Sequence, residues 1–201
     1  MQLVLASASP ARLATLRSAG LDPTVVVSGV DESRLDGLPP AELALRLAEL
    51  KCAAVAERAD VPAGSLVLGC DSVLELGGEA LGKPDTAEDA VARWRAMRGN
   101  SGVLRTGHCL RDTATGRVAA ATASTVVHFA DLSDAEIAAY VATGEPLHVA
   151  GAFTVDGLGG AFVTRIEGDH HNVVGVSLPL LRDLVAELGH EWTELWRPVR
   201  A

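Results

Sequence analysis

The sequence lacks the features that would direct a chain to a membrane, a duplex nucleic acid or an oxidising compartment. No basic N-terminal region leads into an apolar stretch, so no signal peptide is expected. No run of about 18 apolar residues is present to span a bilayer. Cysteine is scarce: Cys52, Cys70 and Cys109 are the three. Odd in number and far apart, they suit neither a disulfide framework nor a zinc cluster, and they fit a reducing, cytoplasmic setting. No basic run occurs and the formal net charge is -9, so nucleic acid is not an expected partner. A small anionic ligand is compatible with that charge if a few cations share one cleft. Lysine is scarcer than arginine: of 17 basic residues, only Lys51 and Lys83 are lysines. Either this is chance or these two positions need a compact ammonium rather than a planar fork.

What is present is enough for a core. The chain has 201 residues and is 48% hydrophobic, which fits one large domain or one domain of two lobes. Leu3–Ala6 reads as a buried strand. Ser9 and Pro10 start a helix that Gly20 stops. Thr24–Ser28 reads as a second strand and Gly29–Pro39 as a loop. A long helix is expected from Pro40 to about Ala59, with Leu43, Leu47, Leu50 and Ala54 as its buried stripe. Leu66–Leu76 reads as a strand, and Gly77-Gly78 as a hairpin turn. Asp85 or Thr86 caps a helix ending near Gly99. Val103–Leu110 and Val118–Val127 pair antiparallel. Ser133 and Glu136 make a capping box. Gly151–Gly175 is glycine-rich with short strands, His170-His171 reads as exposed loop, and a last helix runs from Ser177 to about Leu188. No internal repeat is visible. The alternation of crossover helices with later hairpins implies an α/β fold with a mixed sheet.

Several polar residues stand where burial is costly. Asp71 lies in a strand among Val67, Leu68, Val73 and Leu74. There it must be paired, hydrogen-bonded, metal-bound or facing a cleft. Lys51 falls within an apolar helical row, so it either snorkels or points into a cleft. Asp31-Glu32 follows a strand and a glycine. Such a pair either holds a divalent metal through hard oxygens or is a solvated loop. Ser7, Ser9 and Arg12 sit at a strand–helix seam. They form either an anion site or an ordinary helix cap. Cations near element ends, together with acids near element ends, suit phosphoryl chemistry on a triphosphate.

Taken together, the motifs resemble the Maf family of nucleoside triphosphate pyrophosphatases, once called septum formation inhibitors. They are LASASPAR at the start, Asp31-Glu32, Lys51, Gly69-Cys70-Asp71-Ser72-Val73, Gly82-Lys83-Pro84 and Arg105-Thr106-Gly107. Tyr140, Gly144-Glu145-Pro146, Ala150-Gly151-Ala152-Phe153, Ile166-Glu167-Gly168-Asp169 and Asn172-Val173-Val174-Gly175 continue the series, in order and at matching spacing. The resemblance implies an elongated mixed sheet with flanking helices and a cleft between two lobes, similar to the inosine triphosphate pyrophosphatases. It implies one Maf-like domain over residues 1–201, with 190–201 as a tail. It implies hydrolysis between the α and β phosphates and a divalent cation, Mg²⁺ or Mn²⁺. Asp71, Lys83 and Glu32 match catalytic positions, Asp71 as proton acceptor. Ser7, Ser9, Arg12, Lys51 and Lys83 match phosphate-binding positions, and Asp71 with Glu32 the metal positions. A homodimer is compatible with the family. The alternative reading is a nucleotide-binding regulator of cell division with little catalysis. The chain differs from the usual pattern in having Ala11 before Arg12, Cys70 and Ser72 around Asp71, Val149 before Ala150-Gly151, and Asp156-Gly157 where the subgroup favouring dTTP and UTP carries Gln-Gly.

Overall fold

The computed structural model describes residues 1–31, 35 and 37–197. Seven strands form one mixed sheet: β1 (Gln2–Leu5), β2 (Thr24–Val25), β3 (Ser65–Leu76), β4 (Glu79–Leu81), β5 (Ser101–Asp112), β6 (Val118–Phe129) and β7 (Val163–Glu167). The spatial order is β2-β1-β3-β5-β6-β7, with β4 paired to the far end of β3. β1 runs parallel to β2 and β3, and the remaining pairs are antiparallel. The helices are α1 (Pro10–Ser18), α2 (Pro40–Ala56), α3 (Ala87–Met97), α4 (Asp134–Ala142), α5 (His170–Val174) and α6 (Leu178–Glu187). The architecture is thus the expected α/β fold with a mixed sheet and flanking helices.

Local chemistry explains most element ends. Ser9 Oγ accepts from Arg12 N at 3.3 Å and Pro10 fills the first turn of α1, so both suit a helix start. Ser133 and Glu136 close the expected capping box on α4. Gly77 and Gly78 both have positive φ, 59° and 89°. They join β3 to β4 through the two-residue turn that such angles permit. The second strand is shorter than expected, two residues rather than five. His170 and His171 lie in α5 rather than in a loop, because Asp169 caps that helix by accepting from His171 N.

The sheet alternates cleanly. Leu66, Leu68 and Cys70 of β3 join Leu5, Leu16, Leu110 and Leu181 in a core under α1 and α6. Val67, one residue out of phase, packs with Val4, Ala48, Cys52 and Cys109 under α2. A third cluster centres on Trp94, with Leu74, Phe129, Ile137 and Tyr140 around it. All three cysteines are buried and free. Leu195 is buried and Trp196 pairs with Leu21, so residues near 195 pack against the first crossover.

The α2 stripe is where sequence spacing misled. The buried positions are Ala44, Leu47, Ala48, Cys52 and Val55, whereas Leu50 is 42% exposed. Two glycines account for this. A Cβ at Gly69 would lie 2.7 Å from Cys52 N and 2.8 Å from Cys52 Cβ, and one at Gly107 would strike the Ala44 carbonyl. The helix backbone lies on the sheet at these two points. So close an approach admits only small residues at the two contact points and turns Leu50 out to solvent, while Leu47 keeps its expected buried place.

Candidate active site

The edge of β3 has a gap. β1 pairs with it as far as Leu68, and β4 pairs with it from Leu74 onward. Residues 69–73 therefore have no described strand neighbour on that side. The β1–α1 loop, the α2 face and the segment from His148 to Asp156 surround this gap. They enclose a cleft of about 850 Å³. A crevice beyond the C-terminal end of a parallel strand is the usual ligand position in α/β sheets.

Six of the expected site residues line this one cleft: Ser7, Ser9, Arg12, Lys51, Asp71 and Lys83. They come from the β1–α1 loop, α1, α2, β3 and the turn after β4. Glu32 lies outside the described residues. Asp156 also lines the cleft, on an exposed part of its rim. A second hollow, about 490 Å³, shares Ala11 and Asp156 with the first and is bordered by His170 and His171.

Asp71 continues the odd-numbered face of β3 that Val67 and Gly69 begin, so it points toward α2. Its Oδ1 accepts from Lys51 Nζ at 2.5 Å, and each side chain is 13% exposed. The tight α2 contact at Gly69 brings this pair together, since Cys52 over Gly69 is the residue after Lys51. Lys51 is thus neither a pure snorkelling lysine nor a solvated one. It neutralises a carboxylate that burial alone would make costly. Cys70, next to Asp71 but on the opposite face, is fully buried. Burial pushes its thiol up to about 12, so it stays protonated and is not a nucleophile at neutral pH.

Arg12 lies on the other face and is only 8% exposed. Nε donates to Gly175 O at 2.6 Å and Nη1 donates to Ser7 Oγ at 2.7 Å and Cys70 O at 3.1 Å. Nη2 donates to Ser72 Oγ at 3.2 Å. Four of its five N–H groups therefore go to described protein oxygens. The Cys70 carbonyl is one of those left without a strand partner at the β3 edge, and Arg12 satisfies it. The loop before α1 is held by the same side chain: Ser9 N donates to Ser7 Oγ, which also receives Arg12. Both readings of the seam, cap and anion handle, use the same residues.

The far wall depends on residues that stand in the family motifs but were given no role in the site. Glu145 accepts from Tyr140 Oη and Gly159 N at 3.0 Å each, from Thr154 Oγ1 at 2.5 Å and from Leu158 N at 3.0 Å. Burial opposes the charge, but those hydrogen bonds prevail and hold the Glu145 carboxyl below its usual range. The loop carrying Val155 and Asp156 is pinned by this one carboxylate. Ala152 has φ 58°, which is strained for a residue with a Cβ. Trp94 Nε1 holds its carbonyl at 2.8 Å.

The donor set bears on a metal. Among the described lining residues, Arg12, Lys51 and Lys83 face two carboxylates, Asp71 and Asp156. That small positive balance leaves a triphosphate under-neutralised. No group of three His, Cys, Asp or Glu gathers to hold a metal among the described residues. Mg²⁺ commonly uses one or two carboxylates and takes its other ligands from phosphate and water. The described residues of the cleft fit a cation held in that way and form no all-protein cage among themselves.

Known proteins resemble the chain along nearly its whole length. The family model described as Maf-like protein matches residues 2–188. A protein of Streptomyces avermitilis named nucleoside triphosphate pyrophosphatase is 64% identical over 98% of this chain and 95% of its own length. Relatives with the same name come from Cutibacterium acnes, 55% identical over 96% of this chain and 93% of theirs, and from Nostoc punctiforme, 50% identical over 96% and 97%.

Proposed function

The chain belongs to the Maf family, and from that premise we propose that it hydrolyses nucleoside triphosphates to the monophosphate and pyrophosphate. The observation that carries this reading is the single cleft that gathers Ser7, Ser9, Arg12, Lys51, Asp71 and Lys83 around the open edge of β3. The names of its relatives point the same way. Cations on separate elements suit a chain of phosphates better than a single anion. We assign residues 1–201 to one domain, with the cleft between its two lobes. The reducing cytoplasm is the expected setting. No helix of the described residues is long and apolar enough to cross a membrane.

Lys51, Lys83, the Ser9 region and the remaining Arg12 N–H hold the triphosphate. Asp71 orients a water and takes its proton as the water adds to the α phosphorus. The bond from that phosphorus to the bridging oxygen breaks, and pyrophosphate leaves with its charge met by the lysines. Asp71 and Glu32 would hold Mg²⁺ or Mn²⁺, which supplies charge neutralisation on the phosphates when bound. Lys51 fixes the Asp71 carboxylate in direction. Asp156 on the rim is the departure from the Gln-Gly pattern, and it presents a hydrogen-bond acceptor only.

The test is a panel of canonical and modified nucleoside triphosphates assayed for pyrophosphate with Mg²⁺, Mn²⁺ and Co²⁺, and without metal. Metal-dependent release of pyrophosphate and monophosphate is expected. Tight nucleotide binding with no product in any condition would favour the regulator instead.

A further inference from the structure

His108 is used by nothing in the preceding account, yet it is completely buried beside the site. It lies on β5, on the same face as Thr106. Cys70 and Ser72 are their partners across the ladder. Its Nδ1 is 3.0 Å from Thr106 O, and its Nε2 is 2.8 Å from Ser177 N. A carbonyl only accepts and a backbone N–H only donates. Nδ1 therefore carries the proton and Nε2 the lone pair, so the ring is neutral in one defined tautomer.

Both contacts lead to Arg12. Ser177 lies two residues after Gly175, whose carbonyl accepts Arg12 Nε at 2.6 Å. The segment between them is the short joint from α5 to α6, where Gly175 has φ 125°. On the other side, Thr106 Oγ1 meets Ser72 Oγ at 2.9 Å, and Ser72 Oγ accepts Arg12 Nη2. His108 thus pins directly the Ser177 end of the segment whose Gly175 carbonyl aims the guanidinium, and packs beside the Thr106–Ser72 support.

We propose that His108 is a positioning residue for substrate, holding Arg12 in its phosphate-facing pose through Ser177 and Gly175. This rests on the reading of Arg12 as a phosphate contact. The side chain can be dissected chemically. Glutamine places its carbonyl oxygen near the Nε2 position and keeps an acceptor for Ser177. Asparagine reaches only the Nδ1 position and loses Ser177. Methionine fills the space with no comparable acceptor.

The experiment measures steady-state pyrophosphate release over the same panel of canonical and modified ribo- and deoxyribonucleoside triphosphates, with Mg²⁺ or Mn²⁺. The triphosphate with the highest kcat/KM is then used for every variant, and thermal melts are run in parallel. His108→Asn is expected to raise KM roughly tenfold with kcat nearly kept, within the 10²-fold that about 1 Å of misplacement can cost. His108→Gln should restore KM to near the wild-type value. In an Arg12→Ala background, His108→Asn should add nothing further to KM. If His108→Asn does not fold, His108→Met reads the same contact. A lower active fraction with unchanged KM, or an equal KM effect in both backgrounds, overturns the positioning role. If Arg12→Ala itself leaves KM unchanged, or no triphosphate of the panel is turned over, the reading beneath it fails as well. An Arg12→Ala effect without a His108→Asn or His108→Met effect on KM sinks this proposal alone.

Discussion

Replacing Gly69 by alanine isolates the contact that brings Lys51 to Asp71. Gly69 is not among the glycines with positive φ, so its absent side chain serves space rather than backbone angle. The new Cβ would lie 2.7 Å from Cys52 N and 2.8 Å from Cys52 Cβ, where ordinary contact begins near 3.4 Å. The nearest atoms are helix backbone, which cannot rotate aside. Relief requires α2 to rise by about 0.7 Å at Cys52, and by more at the Ala48 carbonyl beneath it. Overpacking of this kind costs about 1–3 kcal/mol, which a folded domain of this size can absorb. Function is less tolerant. Lys51 moves with Cys52, while Asp71 stays on β3, so the 2.5 Å contact opens. A displacement of about 1 Å can cost about 10²-fold in rate. Thermal melting and steady-state pyrophosphate release, measured on one preparation, give the two quantities. A modest fall in Tm with a roughly 10²-fold fall in kcat/KM is expected. Wild-type Tm and turnover together would refute the claim that the tight helix–sheet contact builds the site.

Burial lowers the His108 pKa to about 4 from 6.5, overcoming the hydrogen bond to the Thr106 carbonyl that favours the proton; the nearby Arg12 charge adds to the fall and Asp169 opposes it weakly. The unfolded chain then binds the extra proton first, so stability falls as pH drops from about 6.5 towards 4, by up to about 3 kcal/mol. His108→Gln should flatten that part of a denaturation-versus-pH curve, and an unchanged slope would contradict the assignment. Glu145→Gln replaces an acceptor of four hydrogen bonds and should cost about 1–3 kcal/mol at neutral pH. Because the carboxylate pKa is depressed, its stabilisation is present above the usual range and fades as pH falls through the folded value. The difference between variant and wild type should therefore shrink in acid, as urea titrations can show. Lys51→Met leaves Asp71 without its ammonium in a largely buried position. It should weaken triphosphate binding in calorimetry, and unchanged affinity would contradict the role given to Lys51.

The sequence carried much of this, and the failures have physical causes. The strand around Asp71 was legible from its apolar run, and so was the need for a partner; that partner, Lys51, lies 20 residues away and was not. Caps at Ser9 and Ser133 were legible because their partners are three residues away. The α2 stripe was misread because spacing alone cannot see a glycine on the opposing strand; Leu50 lost its place to Ala44, Ala48 and Cys52. The supports of Arg12 were invisible for a related reason. Gly175 and Ser72 are 163 and 60 residues distant in sequence. His108 carried no local signal, since its partner Ser177 is 69 residues away; Glu145 stood within a family motif, but the backbone groups it holds at Leu158 and Gly159 are 13 and 14 residues distant. His170 and His171 were taken for loop because the cap from Asp169 serves a helix of only five residues.

The most direct test of the central claim is the turnover of Asp71→Asn. Asparagine keeps the shape and an oxygen that can accept from Lys51, so the melting curve should stay close to wild type. If Asp71 takes the proton from water, pyrophosphate release should fall by roughly 10²–10⁴-fold. A folded Asp71→Asn protein with near-normal metal-dependent turnover would contradict the account.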